Sequence, residues 1–201
     1  MTILSRNDQN GRSMIEMLGV LAIIGVLSVG GISGYSRAMA KYKLTKAQDQ
    51  ITMLLMNIRT AYATSPSYTG LSDQTAADYA IAPGDMIVTG ANDVKTLTGA
   101  FGGAVDVSAV TDKEAYFYIT MHNLAPESCR SLLTSDWGAD GLVMILANSE
   151  DQADGAAPSA DDIPCAGGNA NKFCVDDLPV SLADAAAVCS NPGTFITWVY
   201  Y

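Results

Sequence analysis

The stretch GRSMIEMLGVLAIIGVLSVGGISGY, residues 11–35, decides the fold of this chain. After Glu16, the twenty residues from Met17 to Ser36 carry no charge. As a helix rising 1.5 Å per residue, they would span about 30 Å, the thickness of the hydrocarbon core of a bilayer. A carboxylate at the edge of such a run is costly unless it has a partner. The segment is therefore long enough to cross a membrane, and its acid has no use in an ordinary anchor.

Charge is divided unevenly along the 201 residues. Residues 1–64 carry seven Lys or Arg against three acids, and residues 65–201 carry four against eighteen, so net charges of +4 and −14 sum to −10. The length allows the N-terminal segment plus one globular domain. Because phosphate contacts need clustered Lys and Arg, we expect no nucleic-acid binding by the isolated acidic domain.

The helical pattern continues beyond the uncharged run. From Lys41 to Ala63, apolar residues recur at the three- and four-residue spacing of an amphipathic helix. These apolar residues are Leu44, Ala47, Ile51, Leu54, Leu55, Ile58 and Tyr62, and the opposite side carries Lys43, Lys46, Gln50 and Asn57. If the two segments are continuous, residues 13–63 form one helix roughly 77 Å long. We expect it to stop at Thr64 or Ser65, because Pro66 disfavours helical dihedrals in its predecessor.

Residues 65–201 predict an α+β domain. The elements are a short helix at 72–80 in a low-complexity stretch, a hairpin at 104–110 and 115–121, strands at 142–146 and 194–201, helices at 126–133 and 181–189, and an acidic loop at 148–171. Ser181 and Asp184 have the spacing of a helix cap. Roughly four strands from distant parts of the chain imply an antiparallel sheet. One of its faces needs an apolar cover, which the stripe of the long helix can supply.

The four cysteines all follow the apolar segment, at Cys129, Cys165, Cys174 and Cys189. An even number in the part that would be exported favours disulfides in an oxidising compartment, with three connectivities open. Zinc is disfavoured, because no C-x-x-C pair is present and His122 is the only histidine.

No catalytic constellation stands out in the sequence. A single histidine excludes most His-based dyads with a metal, and neither G-x-S-x-G nor a phosphate-cradling glycine loop occurs. Asp151, Asp154, Asp161 and Asp162 could collect a calcium ion, but they lack the regular alternation of a calcium loop. A solvated acidic surface is the favoured interpretation, and we expect neither enzyme activity nor a cofactor.

The run Gly11-Arg12-Ser13-Met14-Ile15-Glu16, with the uncharged stretch after it, resembles the prepilin signature of type IV pilins. In that family a dedicated peptidase cuts after a glycine, the new N-terminal residue is methylated, and the fifth mature residue is a glutamate. The likeness extends to EAYFYITM, PESCRSLLTSDWG, Cys189 and TFITWVYY. These segments are similar to the type IVb S-pilins, major subunits of thin or bundle-forming pili.

The resemblance implies a cut after Gly11, a mature chain beginning at Arg12, and Glu16 as its fifth residue. Family members usually begin with an apolar residue, so Arg12 is a departure from the pattern. Glu16 of one subunit would meet the α-amino group of the next, which selects register more than it adds stability because both charges are desolvated. Alternatively, Arg12 lies one helical turn before Glu16 and could pair with it inside the same helix.

Glycines recur in the apolar run, and we assign helix packing to Gly25, Gly30 and Gly34. The Gly30-x-x-x-Gly34 spacing permits close approach of helices. The alternative is that glycine is simply common in such spans.

The resemblance also implies the domain organisation, one disulfide and the partners. The divisions would be a leader at 1–11, a filament-core half of the helix at 12–36, an amphipathic half at 37–64, and a globular head at 65–201. We favour a disulfide from Cys129 to Cys189, which matches the disulfide-bounded C-terminal region of that family, and one from Cys165 to Cys174 that closes a small loop within it. The partners would be copies of the chain, the prepilin peptidase and the assembly machinery. The precursor would lie in the inner membrane before joining a surface pilus used for adhesion, aggregation or conjugation-related contact.

Three alternatives stay open at this point. Among pilin-like roles, the chain could be a minor pilin or a type II secretion pseudopilin. Ala38-Met39-Ala40 has the form of an ordinary signal-peptidase site, which would release a secreted globular protein beginning at Lys41. The chain could also be an uncleaved anchor, although the positive-inside rule opposes export of the four cations that follow the span. These cations are Arg37, Lys41, Lys43 and Lys46.

Overall fold

A computed structural model of the chain describes residues 10–138, 140–149, 157–165, 168 and 170–201, with side chains from residue 14 onward. The chain divides into two compact units, Met1–Tyr42 and Lys43–Tyr201. We call the second one the globular unit.

Helix α1 runs without interruption from Asn10 to Ala61, so the prediction of one continuous helix is confirmed. We call residues 14–42 its membrane-length half and residues 43–61 its packed half. The predicted end at Thr64 or Ser65 is wrong by about one turn. Tighter bonds from Ala63 N to Thr60 O (3.4 Å) and from Ser65 N to Tyr62 O (2.9 Å) replace the α-helical pattern there.

The globular unit contains two antiparallel sheets among its described residues. Its helices are α2 (Asp73–Asp78), α3 (Pro126–Leu133) and α4 (Leu182–Val188). Its strands are β1 (Ile87–Thr89), β2 (Lys95–Leu97), β3 (Val105–Val110), β4 (Lys113–Leu124), β5 (Leu142–Ser149), β6 (Lys172–Cys174) and β7 (Thr194–Tyr200). Strands β1 and β2 pair with each other, and the larger sheet has the order β3-β4-β7-β5-β6.

The core of the globular unit lies between the larger sheet and the packed half of α1. Ile51, Leu54 and Ile58 are fully buried on the helix, in one cluster with sheet residues that include Phe117 and Trp198. This arrangement confirms that the apolar stripe of the helix covers one face of the sheet.

Strand β7 is buried along its whole length. Since side chains alternate along a strand, Trp198 faces the helix side while Val199 faces the opposite side. There Val199 packs with Val110, Met144 and Ile163 in a second, smaller cluster. The aromatic and β-branched side chains of β7 therefore pack into apolar clusters on both faces of the sheet.

The larger sheet has one strand more than the roughly four that the sequence predicts. The fifth strand, β6, has three residues and pairs with β5 through Met144, Ile145 and Leu146. Strands β1 and β2 are equally short and lie in the low-complexity stretch. Three residues are too few for an alternating pattern to be recognised, which explains why these strands escape the sequence analysis.

The predicted acidic loop at 148–171 is only partly described. Strand β5 extends into it as far as Ser149, and a short 3-10 turn occupies Ala160–Asp162. Ile163 follows and is buried against the second cluster. The buried side chain of Ile163 thus packs this segment against the rest of the globular unit, although the segment is otherwise too polar to form its own core.

The short helices follow their local sequence signals. Helix α3 occupies the predicted residues, with Pro126 in its first turn. At α4, Ser181 Oγ accepts a hydrogen bond from Asp184 N (3.2 Å) and donates one to Asp184 Oδ2 (2.6 Å). Ser72 caps α2 in a similar way through Thr75. The cap proposed from the spacing of Ser181 and Asp184 is confirmed.

Candidate functional site

The membrane-length half of α1 exposes all its large apolar side chains from Met14 to Tyr35. Between Met14 and Tyr35, thirteen such side chains are 52–76% exposed. The helix is long and apolar enough to cross a membrane by length and composition. A soluble monomer rarely keeps an apolar surface of this extent open to water. This surface therefore requires either lipid or other protein chains around it.

Glu16 is exposed near the start of this apolar surface. Arg12 precedes it by four residues, about 6 Å along the helix axis, and its side chain lies outside the described part. Pairing with Arg12 and pairing with another subunit thus both stay predictions for Glu16. In either case the acid lies among uncharged residues, where an unpaired carboxylate is unfavourable once water is removed.

The processing site predicted from the sequence lies at the edge of the described part. Gly11 and Arg12 belong to α1, with their side chains outside the described residues, and residues 1–9 of the predicted leader lie wholly outside them. Cleavage after Gly11 stays a prediction.

The glycines of the membrane-length half have open space around them within the chain. A methyl group added at Gly25, Gly30 or Gly34 would meet nothing within 4 Å. Glycine in a helix interior costs about 1 kcal/mol relative to Ala. No contact with the described residues of the subunit requires that cost, and we expect any packing role of these glycines to involve another molecule.

Two disulfides connect the C-terminal region. Cys129 in α3 bonds to Cys189 after α4, across a separation of 60 residues, and Cys165 bonds to Cys174 in β6, across 9 residues. These are the two pairs favoured from the sequence. In the chain-entropy model, the longer loop contributes about 4 kcal/mol of stability and the shorter about 2.5 kcal/mol.

A polar contact that the sequence analysis missed fixes the packed half of α1. Gln50, predicted on the outer side of the helix, is only 3% exposed. Its Nε2 donates to Asp85 Oδ2 (2.9 Å), and its Oε1 accepts from Ala100 N (2.9 Å). Lys46 Nζ lies 3.0 Å from Asp85 Oδ2 and, mainly by this hydrogen bond, holds the pKa of Asp85 below its usual range.

Gln50 is buried, contrary to the prediction, because the packed half of α1 is covered on two sides. Asn57, also predicted on the outer side, donates from Nδ2 to Ile81 O (2.8 Å). The segment between α2 and β3 therefore lies against the side of the helix that the apolar spacing leaves polar. The sequence gives only part of the signal for this burial, because a Gln or Asn side chain on an amphipathic helix has the same spacing whether it is solvated or buried.

A polar cluster on the globular unit joins α2, β3 and β4. His122 Nε2 lies 2.8 Å from Asp106 Oδ2. Asp73 Oδ1 accepts a 2.5 Å hydrogen bond from Val107 N, on the side of β3 that faces away from β4. Burial raises the pKa of Asp73, with a smaller contribution from the charge of Asp106. The cluster holds α2 against the edge of the sheet.

Metal binding has little support in the described part of the chain. None of its groups of three or more His, Cys, Asp or Glu could hold a metal ion. Of the four acids considered for calcium, Asp151 and Asp154 lie outside the described residues. Asp162 is paired with Lys172, with 3.2 Å between Oδ1 and Nζ.

A surface depression of about 420 Å³ lies between β6 and α4. Its lining includes Lys172, Asp177, Ser181 and Asp184. Asp184 is already bonded to Ser181 as the cap of α4. His122 is not among the lining residues, so the depression does not combine the histidine with a nucleophile.

Comparisons with known proteins agree with this architecture. A family model described as PilS N terminal matches residues 41–199. The protein named major structural subunit of bundle-forming pilus, from Escherichia coli O111:H-, is 24% identical over 190 residues, which cover 94% of this chain and 92% of that protein.

Two crystal structures have the same fold. TcpA, a type IV pilin from the Vibrio cholerae El Tor biotype, superposes with a TM-score of 0.54 and 14% identity, over 80% of this chain and 99% of that one. The type IVb pilin of Salmonella typhi gives 0.53 and 18%, over 79% and 97%. They confirm the expected α+β fold with its long N-terminal helix. Since the family match extends over most of the sequence, the chain belongs to the PilS family of type IV pilins.

Proposed function

We propose that this chain is the major subunit of a type IVb pilus and that it polymerises through the membrane-length half of α1. The observation that carries the proposal is the uninterrupted exposure of apolar side chains from Met14 to Tyr35. In a filament, copies of this helix would cover one another. The Escherichia coli relative, named as a major structural subunit, supports the same role.

Before assembly, the same surface would lie in the inner membrane. The globular unit would be on the outer side, where its two disulfides can form. The prepilin peptidase would cut after Gly11, and the assembly machinery would then transfer the helix from lipid into the filament. Leaving lipid for a bundle of like helices keeps the apolar surface covered throughout.

Glu16 would set the step between subunits. Cleavage frees an α-amino group at Arg12, which is positive below a pKa of about 8. A carboxylate and an amine that meet in a low-dielectric bundle must pair, because either one alone is strongly disfavoured. The pair would therefore select one axial register out of the many that an apolar surface allows.

The functional divisions follow from this role. Residues 1–11 would form the leader, 12–36 the filament-core half of the helix, 37–64 its amphipathic half, and 65–201 the head. Support for the amphipathic half comes from Ile51, Leu54 and Ile58, which are buried against the sheet. A pilus subunit needs no catalytic centre, and the pilin relatives agree with a non-enzymatic role.

The decisive experiment is to purify surface filaments from the native host, quantify their components and sequence their N-termini. We expect this chain to be the main component and to begin at Arg12. A trace amount in filaments built from another subunit would indicate a minor pilin or a pseudopilin. A soluble product that begins at Lys41 would indicate an ordinary secreted protein and would overturn the proposal.

A further inference from the structure

Four exposed side chains lie at the end of the uncharged run on α1 and just beyond it: Tyr35, Arg37, Lys41 and Tyr42. We call them the interfacial belt. Tyr35 is 67% exposed and Tyr42 is 61% exposed. Neither Arg37 nor Lys41 forms an ion pair with any described residue. The belt thus offers two cations and two phenol rings that have no partner within the described chain.

The spacing along the helix places these groups in two rows. Tyr35 and Tyr42 are seven residues apart and share one side, whereas Arg37 and Lys41 are four apart and share another. The distance from Tyr35 to Tyr42 along the axis is about 10 Å. The headgroup region adds about 5–8 Å on each side of the hydrocarbon core, so the belt spans this region and reaches slightly beyond it.

The depth of the belt follows from the run before it. Residues 17–36 are uncharged and match the hydrocarbon core in length, and Arg37 comes directly after them. Tyrosine rings favour this interfacial depth, since the ring is apolar and the hydroxyl is wet. Long Lys and Arg side chains extend from the same depth to reach phosphate groups.

The orientation of the span in the membrane also bears on which ligand these two cations bind. With the globular unit outside, Arg37 and Lys41 lie on the exported side, which the positive-inside rule opposes. An anionic ligand on that side offsets the unfavourable placement. Lipid phosphate is the ligand found at this depth.

We propose that the interfacial belt binds the phosphate headgroups of anionic phospholipids in the outer leaflet of the inner membrane. The site rests on the proposed function, since it requires the membrane-length half of α1 to lie in a bilayer before assembly. Each subunit that enters a filament must then release these lipids. The local content of anionic lipid sets how readily the subunit leaves the membrane.

A second copy of the chain is the competing partner, because residues 65–201 carry a net charge of −14. Two observations favour lipid. Arg37 and Lys41 are next to a run of bilayer length, and two exposed tyrosines accompany them. An acidic protein surface would bind the two cations, but it would not account for the two exposed tyrosines beside them.

The test uses the full processed chain in phosphatidylcholine vesicles that contain spin-labelled lipid. Electron paramagnetic resonance gives the association of labelled phosphatidylglycerol relative to labelled phosphatidylcholine. We compare the native sequence, the double variant Arg37→Gln/Lys41→Gln, and the control Lys95→Gln. The control removes one cation of the globular unit that is already paired with Asp78 at 2.9 Å. An alkaline wash reports membrane insertion separately.

We expect the native chain to prefer the anionic lipid, with a preference that weakens as salt is raised. The double variant should lose most of it, up to about fivefold per cation. Lys95→Gln should behave like the native chain. All three should resist the alkaline wash.

An inserted native chain without anionic preference would overturn the lipid site while leaving the proposed function intact. The lipid site would also be overturned, with the proposed function intact, if the double variant keeps its preference for the anionic lipid but forms no filaments. The two cations would then bind a second copy of the chain. Release of the native chain by the alkaline wash would overturn the membrane-held precursor and the lipid site together.

Discussion

The two halves of helix α1 are continuous in backbone but opposite in the way their apolar side chains are used. In the membrane-length half, every large apolar side chain up to Tyr35 is more than half exposed. In the packed half, Ala47, Ile51, Leu54 and Ile58 are fully buried. A helix with one apolar stripe can be covered by one sheet, whereas a helix that is apolar all round needs cover on every side.

The two halves of α1 differ in their polar contacts as clearly as they differ in burial. The packed half is fixed through Gln50, Lys46 and Asn57 to the segment between α2 and β3. In the membrane-length half, the exposed Glu16 is the one carboxylate among the residues with described side chains. A substitution in the first half should therefore act on assembly, and one in the second half on folding.

The largest effect should come from Glu16→Ala. If Glu16 pairs with the α-amino group of another subunit as proposed, leaving that amine unpaired in a low-dielectric bundle costs about 3–5 kcal/mol, repeated at each subunit of a filament. We expect the protein to remain in the membrane while surface filaments disappear or fall severely, as counted by electron microscopy. Asp49→Ala, which removes an exposed acid of the packed half, is the matched control and should keep its filaments. Normal piliation in the Glu16 variant would refute the assembly role.

The disulfides should affect only the globular unit. Replacing Cys129 and Cys189 by Ala should lower the free energy of unfolding by about 4 kcal/mol, and replacing Cys165 and Cys174 by about 2.5 kcal/mol. Urea denaturation of each pair variant measures the difference, and resistance to alkaline extraction should stay unchanged. An equal loss for both pairs would show that loop length does not govern their contributions.

A pair of leucines compares the two halves directly. Leu54→Ala creates a cavity beneath the sheet and should cost the globular unit about 2–5 kcal/mol. Leu21 is 64% exposed, so Leu21→Ala should leave that stability unchanged and weaken filament cohesion instead. Denaturation and a filament shear assay provide the two measurements. Destabilisation of the globular unit by Leu21→Ala would contradict the separation of roles.

The smallest expected effect is a pair of opposite pH responses in the globular unit. Burial raises the pKa of Asp73, so its ionised form opposes folding at neutral pH and protonation relieves that penalty. The hydrogen bond from Lys46 lowers the pKa of Asp85, so its contribution is present at neutral pH and is lost as the pH falls through the folded-state pKa.

Melting temperatures at several pH values test both signs. At pH 7, Asp73→Asn should melt above the native protein and Asp85→Asn below it. The Asp73 difference should shrink as the pH falls through the raised folded-state pKa towards the usual Asp value of about 3.9, and the Asp85 difference should shrink as the pH falls below that value. Differences that grow on acidification would reverse the assignment of these two carboxylates.

Local signals account for what the sequence predicts well. Helix α3 begins at Pro126 and ends at Leu133 as expected, because proline position and apolar spacing lie within a few residues. The cap between Ser181 and Asp184 is equally local. Strand β7 is recognised because its composition is aromatic and β-branched throughout.

Distant partners account for what the sequence does not predict. Strand β6 is defined by its pairing with β5, about thirty residues earlier, and not by its own three residues. Gln50 is buried because Asp85 and Ala100 approach from later in the chain. For Glu16, the position on the helix is predictable, but its expected partner lies in another copy of the chain.

The place of β7 in the larger sheet has a consequence for folding. This strand is the last of the seven described strands in chain order, yet it lies at the centre of the larger sheet, bonded to β4 on one side and β5 on the other. The sheet lacks its central strand until β7 has been synthesised, so β4 and β5 cannot be joined into one sheet before then. We therefore expect the globular unit to fold late and cooperatively, because its strand pairings join distant parts of the chain.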